Sequence, residues 1–492
     1  MSFVNSVKKE LNKTAYTEKG AISYTSTLDK VLDFFSKSGA LRQQHNEQLD
    51  YFMKAYEQDA TLADKALFYS RDIRHGQGER DLFKNIIKWL ATRNPERFRP
   101  NLKYIPEFGR WDDLYSFVGT PLEAEAFKVM KEQFDKDVKD LNEGHHVSLL
   151  GKWLKSENTS SKESCKLGKL TRKAFGISNP KEYRQILSSL RKEIEVVEKL
   201  MSAKDWDEIN YEHVPSKAMK NYTKAFKKHD EDRYNEYISR VKKGEAKINA
   251  GTLYPYDIVH KYLRNDVSSD EEATYEELWK HLPNYFEGIE NGNSMCVIDV
   301  SGSMYHGRDN VLPIDVSISL GLYMAERNNG PFKNHFITFE TNPGFVEIRG
   351  NSLKDKIKNI CNAEWGGSTN LIATFKLILD VAKKNNLKDE DMPRKLFIIS
   401  DMQFDDATDD NSLTNFEQID KMYKEAGYKR PDLVFWNVNA HSDNPVQKDE
   451  KGTLLVSGIS PSILEHALKA EETTPYDFMI EVLNSDRYKC IV

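Results

Sequence analysis

The sequence predicts two modules of different fold class, an all-α helical array in the N-terminal half and a doubly wound α/β domain in the C-terminal half. In the first half, apolar residues recur at spacings of three and four, which is typical of helices packed along one face. In the second half, short β-rich runs alternate with helical stretches, which favours a parallel sheet covered on both faces. The charge changes at the same place: residues 1–250 carry 46 Lys and Arg against 38 Asp and Glu, and residues 251–492 carry 25 against 39.

The helical half is read from its periodic apolar residues and from the Gly and Pro residues between them. Two clear stripes are Phe127, Met130, Phe134, Val138 and Leu141, and Ile186, Leu190, Ile194, Val197 and Leu200. No strand alternation is found before about residue 250, so an all-helical array of antiparallel pairs is the economical interpretation, and no fixed repeat period names a class of solenoid. The acidic stretch that follows predicts a linker. We therefore expect a helical-repeat domain over 1–270, an acidic linker over 271–292 and an α/β domain over 293–492.

The α/β domain is predicted from five strand-like runs, at 295–299, 335–339, 395–400, 432–438 and 453–457. Helical stretches alternate with them at 313–328, 370–385, 413–426 and 461–470. In a doubly wound sheet, ligands bind where the strand C-termini meet the following loops.

Length and composition limit the class of protein. The chain of 492 residues exceeds a typical single domain, and with 39% hydrophobic residues it can bury a sizeable core. Its four cysteines are far apart, which excludes a zinc ribbon and a disulfide framework and favours a reducing compartment. No run approaches the ~20 apolar residues of a membrane span. We expect a cytoplasmic protein, a monomer, with no membrane partner.

Oxygen-bearing side chains cluster where the first strand of the α/β domain ends. Asp299, Ser301 and Ser303 stand at alternate positions, so their oxygens can converge on a hard cation such as Mg²⁺. Thr369 and Asp401 lie in two later loops that reach the same edge of the sheet. This set resembles the metal-ion-dependent adhesion site of von Willebrand factor A (vWA) domains, and the resemblance implies an ion with an open position for a partner's carboxylate. The alternative is an ordinary strand-to-helix turn with capping serines.

Several catalytic motifs are missing from the sequence. There is no HExxH, no P-loop and no GxSxG, and Ser301 stands where a dehalogenase-like phosphotransferase would need a second carboxylate. His306 lies near the predicted site, but a loop-capping role is favoured over catalysis. The segment Gly76-Gln77-Gly78 lacks the third glycine of a dinucleotide loop and follows a helical run. The prediction is that the protein is not an enzyme.

Four segments carry a resemblance that covers nearly the whole chain from about residue 25. They are LFYSRDIRHGQGERDLFKNIIKWL (67–90), IPEFGRWDDLY (105–115), SLLGKWLKSENTSS (148–161) and the run from Val214 to Val259. They resemble a poorly characterised family of vWA-bearing proteins, which is similar in turn to TROVE-module proteins of the Ro autoantigen type. The resemblance implies an array of helical HEAT-like repeats that forms a ring closed by a vWA domain, with small structured RNAs on its outer surface and single-stranded RNA ends in its hole.

The basic residues of the helical half are the candidates for RNA contact, since phosphates are bound by clustered Lys and Arg. The candidates are Arg71, Arg74, His75, Arg80, Arg110, Lys152, Lys155, Lys166, Lys169, Arg172, Lys173, Lys217, Lys220, Lys224, Lys227 and Lys228. The alternative for each is a solvated helix face or a local ion pair; for Arg71, Arg74 and Arg80, the nearby acids are Asp72, Glu79 and Asp81. Trp111 is expected to pack in the core.

The leading functional hypothesis is a non-catalytic RNA-binding scaffold, a Ro-like ribonucleoprotein component that binds structured or misfolded RNA on its basic helical surface. Its divalent ion, most simply Mg²⁺, would serve a ligand or a protein partner that supplies a carboxylate. The alternative hypothesis is an interaction or assembly component, viral or structural, that uses the metal site without RNA.

Overall fold

The computed structural model describes residues 14–289, 293–307, 311–363, 365–408, 413–439 and 443–492. Residues 1–13 of the predicted helical domain and residues 290–292 of the predicted linker lie outside the described residues.

The N-terminal half is helical from Lys30 onward, as predicted, but the prediction of no strand before about residue 250 is wrong, because a two-stranded hairpin lies at residues 14–24. Its first helix is capped by the Asp29 carboxylate, which accepts a hydrogen bond from the Leu32 amide at 2.9 Å. The α-helices of this half are Lys30–Lys37, His45–Gln58, Ala60–Arg71, Arg80–Arg93, Pro95–Phe98, Ile105–Phe108, Glu123–Asn142, Leu150–Trp153, Lys162–Ala174, Pro180–Glu193, Val197–Ala203, Ser216–His229, Glu231–Lys242, Pro255–Leu263 and Glu272–Lys280. Short 3₁₀ segments join some of them, among them Trp111–Phe117.

The C-terminal half contains a six-stranded sheet. Its strands are β3 (Ser294–Ile298), β4 (His335–Thr338), β5 (Phe345–Glu347), β6 (Lys395–Ser400), β7 (Asp432–Asn437) and β8 (Thr453–Ser457). The order is β5-β4-β3-β6-β7-β8, and all pairs are parallel except β4 with β5. The first strand of this domain, β3, therefore lies inside the sheet, which is the topology of a doubly wound domain. The predicted fold class is confirmed.

The two faces of this sheet pack against different layers, because successive side chains along a strand point to opposite faces. Cys296 and Ile298 of β3 belong to a core that is continuous with the helical half. Met295 and Val297 of the same strand belong to a second core, which includes residues of the helices Leu371–Asn385 and Asn415–Ala426.

The predicted strands and helices of this domain agree with the structure to within a few residues, apart from the last helix. The remaining helices are Pro313–Arg327, Leu353–Cys361, Leu464–Ala467 and Pro475–Leu483. Of the predicted helix at 461–470, residues 461–463 are 3₁₀ and only four residues are α-helical. The edge strand β5, with three residues, and the helices at 353–361 and 475–483 were not predicted.

The predicted linker is wrong over most of its length. Glu272–Lys280 is a helix, and its Leu278 and Trp279 side chains are buried in the main core. The Trp279 indole N–H donates to Glu326 of the α/β domain at 2.5 Å. The acidic composition misled the prediction because five acidic residues at 270–272 and 276–277 lie among the few large apolar side chains that pack.

The chain ends cross the predicted domain boundary. The hairpin of β1 (Thr14–Tyr16) and β2 (Ile22–Tyr24) lies on the α/β domain, where the Thr17 hydroxyl donates to the Phe404 carbonyl at 2.7 Å. In the opposite direction, Arg487 binds Asp72 of the helical half with an Nε to Oδ2 distance of 2.7 Å. The two modules are therefore interlocked rather than serially joined.

Both ends of the helical array pack on the α/β domain. At one end the helix Lys30–Lys37 lies against β8, and at the other Pro255–Leu263 lies against Pro313–Arg327. There His260 Nδ1 and Arg264 Nη2 each approach the buried Asp315 carboxylate at 2.8 Å. The array thus begins and ends on the same domain.

Candidate functional site

The predicted metal ligands at the ends of β3 and β6 lie together. Asp299 follows β3, and its two carboxylate oxygens accept hydrogen bonds from the Ser301 amide at 2.8 Å and from the Ser400 hydroxyl at 2.5 Å. The Ser301 and Ser303 hydroxyl oxygens are 3.2 Å apart. Asp401 follows β6, and one of its oxygens accepts from the Gln403 amide at 3.2 Å. Asp299, Ser301 and Asp401 are all buried.

Burial and the neighbouring Asp401 carboxylate raise the pKa of Asp299 to about 6, against the hydrogen bonds from Ser400 and Ser301, which lower it. Two buried carboxylates that repel each other are the arrangement that a cation between them would stabilise. The donor set, carboxylates and hydroxyls without nitrogen or sulfur, matches the preference of Mg²⁺. The residues present therefore fit a hard divalent cation.

Thr369, the fifth predicted ligand, lies buried in the adjoining loop. Its hydroxyl donates to the Gln403 carbonyl at 2.7 Å and lies 3.2 Å from Asp405 Oδ1. It also accepts a hydrogen bond at 3.0 Å from the ammonium of Lys19, a residue of the N-terminal hairpin. The same ammonium is 3.7 Å from Asp405.

Lys19 and Asp405 were missed at this site by sequence reasoning. Asp405 could have been found from the sequence, since it lies four residues after the predicted ligand Asp401 in the same loop. No sequence pattern indicates Lys19, because it is more than 300 residues from Thr369 in the chain and reaches the site through the N-terminal hairpin. There the Glu18 amide donates to Gln403 Oε1 at 2.8 Å and the Asp406 amide donates to the Lys19 carbonyl at 3.2 Å.

Two of the predicted RNA-contacting arginines, Arg71 and Arg172, form close contacts within the protein. Arg71 is 2% exposed, and its guanidinium is bound to Asp113 at 2.7 and 2.8 Å, so it has no surface to offer a phosphate. Arg172 pairs with Glu157 at 2.5 Å and donates to the Ile177 and Ser178 carbonyls just beyond its helix. The prediction for Arg71 is therefore wrong, because this buried charge is paired inside the protein and cannot reach a phosphate. Arg172 is partly exposed, and its phosphate contact stays a prediction.

Arg74 and His75 lie in the loop that docks on the α/β domain. Arg74 donates to the Glu107 carbonyl at 2.5 Å, and His75 Nδ1 is 3.5 Å from Glu465 of the α/β domain. In the same loop Gln77 Nε2 is 3.2 Å from Ser457 Oγ, at the end of β8. The Gly76-Gln77-Gly78 segment is thus part of the contact between the modules. Its sequence lacks the third glycine that a dinucleotide-binding loop requires.

A second group of predicted residues surrounds two buried aspartates, Asp112 and Asp113. Arg80 contacts both, at 2.6 and 3.3 Å, while Arg110 and Lys155 approach Asp112 at 3.2 and 3.8 Å. The local acids expected for Arg80 are not its partners. The Arg110 guanidinium also lies 4.3 Å from the centre of the Trp153 ring. Lys152 lies 3.9 Å from Glu198.

The remaining predicted residues lie on two helices. On Lys162–Ala174, the side chains of Lys166, Lys169 and Lys173 are exposed. On Ser216–His229, Lys220 pairs with Asp257 at 2.9 Å and Lys224 lies 3.6 Å from Glu271. Lys217 and Lys228 are exposed, Lys227 is half-buried, and Lys217 lies 5.7 Å from the centre of the Tyr254 ring. Trp111 packs against the core, as expected.

Within the described ranges, no helix combines the length and the apolar character that crossing a bilayer requires.

Comparisons with known proteins match the two halves of the chain with different family models. The family model described as "Domain of unknown function (DUF2828)" matches residues 17–166 and 154–285, and the model described as "Domain of unknown function (DUF7788)" matches residues 293–487. Among curated proteins, "Uncharacterized protein L728" of Acanthamoeba polyphaga mimivirus is 30% identical over 510 residues, spanning 95% of this chain and 87% of that protein.

Among solved structures, the chain is similar to the RO (RSR) protein of Deinococcus radiodurans. The TM-score is 0.47 with 13% sequence identity, over 85% of this chain and 93% of the other.

Proposed function

We propose that this chain, which belongs to the DUF2828 family, is a non-catalytic scaffold that binds RNA on a basic face of its helical half and holds a divalent ion in its α/β domain. The observation that carries the RNA part is one exposed helix face. Lys162, Lys166, Lys169 and Lys173 follow one another at spacings of four, three and four along Lys162–Ala174, so they share a face. None of the four forms an ion pair with any residue that the structure describes.

A helix face that carries only positive charges destabilises the helix unless an anion binds to it. Like charges at spacings of three and four destabilise a helix by a few tenths of a kcal/mol per pair. Successive phosphates of a nucleic acid would neutralise them and release condensed counterions. The Lys217–Lys228 row adds to the surface, although Lys220 and Lys224 are partly neutralised by their acidic partners. Structured RNA and single-stranded RNA ends are the ligands that the sequence resemblance favours.

The test is RNA binding by the full chain, measured by fluorescence anisotropy over a salt series with a hairpin and a single-stranded RNA. Charge reversal of Lys169→Glu with Lys173→Glu should weaken binding and flatten the salt dependence, by about 0.7 in slope per lost phosphate contact. The matched control is Lys383→Glu with Lys384→Glu, two exposed lysines of the α/β domain. No binding by the unmodified protein at low salt would refute the RNA proposal.

The metal part of the proposal assigns Asp299, Ser301, Ser303 and Asp401 as ligands, with Thr369 as the fifth. A bound Mg²⁺ would supply a positive charge with an open position for an incoming carboxylate, from a protein partner or another ligand. The chain's own part is to hold the two carboxylates together and to orient Asp299 through Ser301 and Ser400.

Thermal unfolding with and without Mg²⁺ tests this part. The unmodified protein should be stabilised by Mg²⁺, because the ion binds the folded state and not the unfolded chain. Asp299→Ala should remove that increment, while Asp389→Ala, at an exposed acid of the same domain, should keep it. An equal Mg²⁺ response in Asp299→Ala would contradict the ligand set. Mg²⁺ binding in a protein that binds no RNA would favour the alternative function, an interaction component that acts through the metal site.

A further inference from the structure

Helix Arg80–Arg93 carries a row of cations that faces a cavity. Arg80, Lys84 and Lys88 stand at intervals of four residues, so they lie on one face of the helix. The cavity beside them has a volume of about 720 Å³, and Lys155 and Lys166 line it from other elements. A cavity of this size is in the range that holds a small ligand or part of a large one.

The charges around the cavity do not balance. Asp112 and Asp113 are approached within 4.0 Å by five cations, Arg71, Arg80, Lys84, Arg110 and Lys155. Two carboxylates thus face five cations, an excess of three positive charges. Lys88 and Lys166 add two more, and Asp81 and Glu163, the other acids lining the cavity, offset those two.

The cationic side chains around the cavity are partly shielded from solvent. The side chains of Lys84 and Lys155 are each 30% exposed, and that of Arg110 is 28% exposed. Burial, and then the neighbouring Arg80, lower the pKa of Lys84. Half-buried like charges are stabilised by a counter-charge. The described acidic residues that line the cavity are already balanced by other cations, so they supply no counter-charge for the three excess positive charges. An anion carrying about three charges would supply it.

Resting on the proposed function, we infer that this cavity is a phosphate-binding site that takes two or three consecutive phosphates of an RNA strand. The argument for RNA as the source of the phosphates is continuity. Lys166 lines the cavity and also belongs to the exposed face with Lys169 and Lys173. One strand can therefore run along that face and place its phosphates between Lys166 and the Arg80, Lys84 and Lys88 row.

The experiment compares the full chain with two variants on different helices that line the cavity, Lys84→Gln with Lys88→Gln, and Lys166→Gln alone. Lys383→Gln with Lys384→Gln is the control. Binding of a single-stranded RNA is measured by anisotropy over a salt series. Loss of two phosphate contacts should reduce the salt slope by about 1.4, which corresponds to roughly 60-fold weaker binding at 50 mM salt if the curves meet at 1 M. Lys166→Gln should give about half that slope change.

Inorganic tripolyphosphate is the second probe, measured by calorimetry and by its competition with RNA. It should bind the unmodified protein, displace RNA and fail to bind the Lys84 and Lys88 variant. Lys166 is exposed and forms no ion pair with the described residues, so its substitution should not disturb folding. The Lys166→Gln variant therefore still tests the site if the double variant does not fold. RNA binding with an unchanged slope in both variants would overturn the cavity assignment and leave the proposed function standing.

Tripolyphosphate binding at the cavity without any RNA binding would overturn both RNA as the ligand and the proposed function. Binding of RNA that tripolyphosphate cannot displace, with normal slopes in the variants, would place the RNA elsewhere on the helical half.

Discussion

Asp64, in the helix Ala60–Arg71, is a buried carboxylate whose ionisation should limit the stability of the helical half. The residue is fully buried, and neither carboxylate oxygen has a hydrogen-bond donor among the described residues. Arg97 is the nearest cation, 3.6 Å away. Burial raises the pKa of Asp64 from 3.8 to about 7, against the attraction of Arg97, which lowers it.

The sign of the pH effect follows from proton uptake. Between about pH 4 and pH 7 the folded state keeps the Asp64 proton and the unfolded chain has lost it. Stability therefore falls as pH rises through this window, and above it the full cost of the buried charge is present. A difference of about three pKa units is worth about 4 kcal/mol.

Asp64→Asn removes this titration while keeping the shape of the protonated acid. We expect it to stabilise the helical half by about 4 kcal/mol at pH 8 and by about 1.5 kcal/mol at pH 5. At about 2 °C per kcal/mol for a domain of this size, the melting temperature should rise by roughly 8 °C at pH 8 and roughly 3 °C at pH 5.

The assay is thermal unfolding of the full chain at both pH values, with Asp50→Asn as the control. Asp50 is an exposed aspartate of the preceding helix whose side chain is 58% exposed, and its substitution should shift the melting temperature little. An equal shift for Asp64→Asn at pH 5 and pH 8, or a destabilisation at pH 8, would refute the reasoning.

Three further perturbations test the proposed metal site and the contacts between the modules. Lys19→Met should increase the apparent affinity for Mg²⁺ several-fold, measured from the rise in melting temperature over a Mg²⁺ titration, because the ammonium bound to Thr369 repels a second cation; a lower apparent affinity would contradict this. Gly39→Val should loosen the docking of the first helix, since a Cβ there would lie 2.8 Å from the Gly458 Cα; faster limited proteolysis between the modules is expected, and unchanged proteolysis would count against it. Arg487→Gln should cost about 3–5 kcal/mol of unfolding free energy by leaving the buried Asp72 carboxylate without its cation, and a loss below about 1 kcal/mol in urea unfolding would be inconsistent with the buried pair.

The strands of the α/β domain could be predicted closely from the sequence. The run Lys395–Ser400 is predicted to the residue, because a strand buried on both faces is a continuous apolar segment bounded by polar residues. The edge strand β5 was missed for the opposite reason. It has three residues, is mostly exposed and is held by its pairing with β4 rather than by its own composition.

The helix Glu272–Lys280 shows where local composition fails. Its acidic residues lie among the buried Tyr275, Leu278 and Trp279, which are too few to give a periodic pattern in a window dominated by charge. Its helical state depends on packing against helices that come before and after it in the chain. Tertiary packing overrides local composition in such segments.

The sequence by itself determined the order of the modules and most of the sheet, and it predicted the oxygen-bearing side chains at 299–303, 369 and 401, because strand length, apolar periodicity and side-chain chemistry are local properties. Only the tertiary structure decided which charged side chains are accessible to a ligand. Arg71 and Lys84 are both basic residues near a helix end, yet one is buried against Asp113 and the other faces a cavity. Lys19 reaches Thr369 across 350 positions. Burial and long-range pairing depend on how distant segments pack, and no local pattern encodes them.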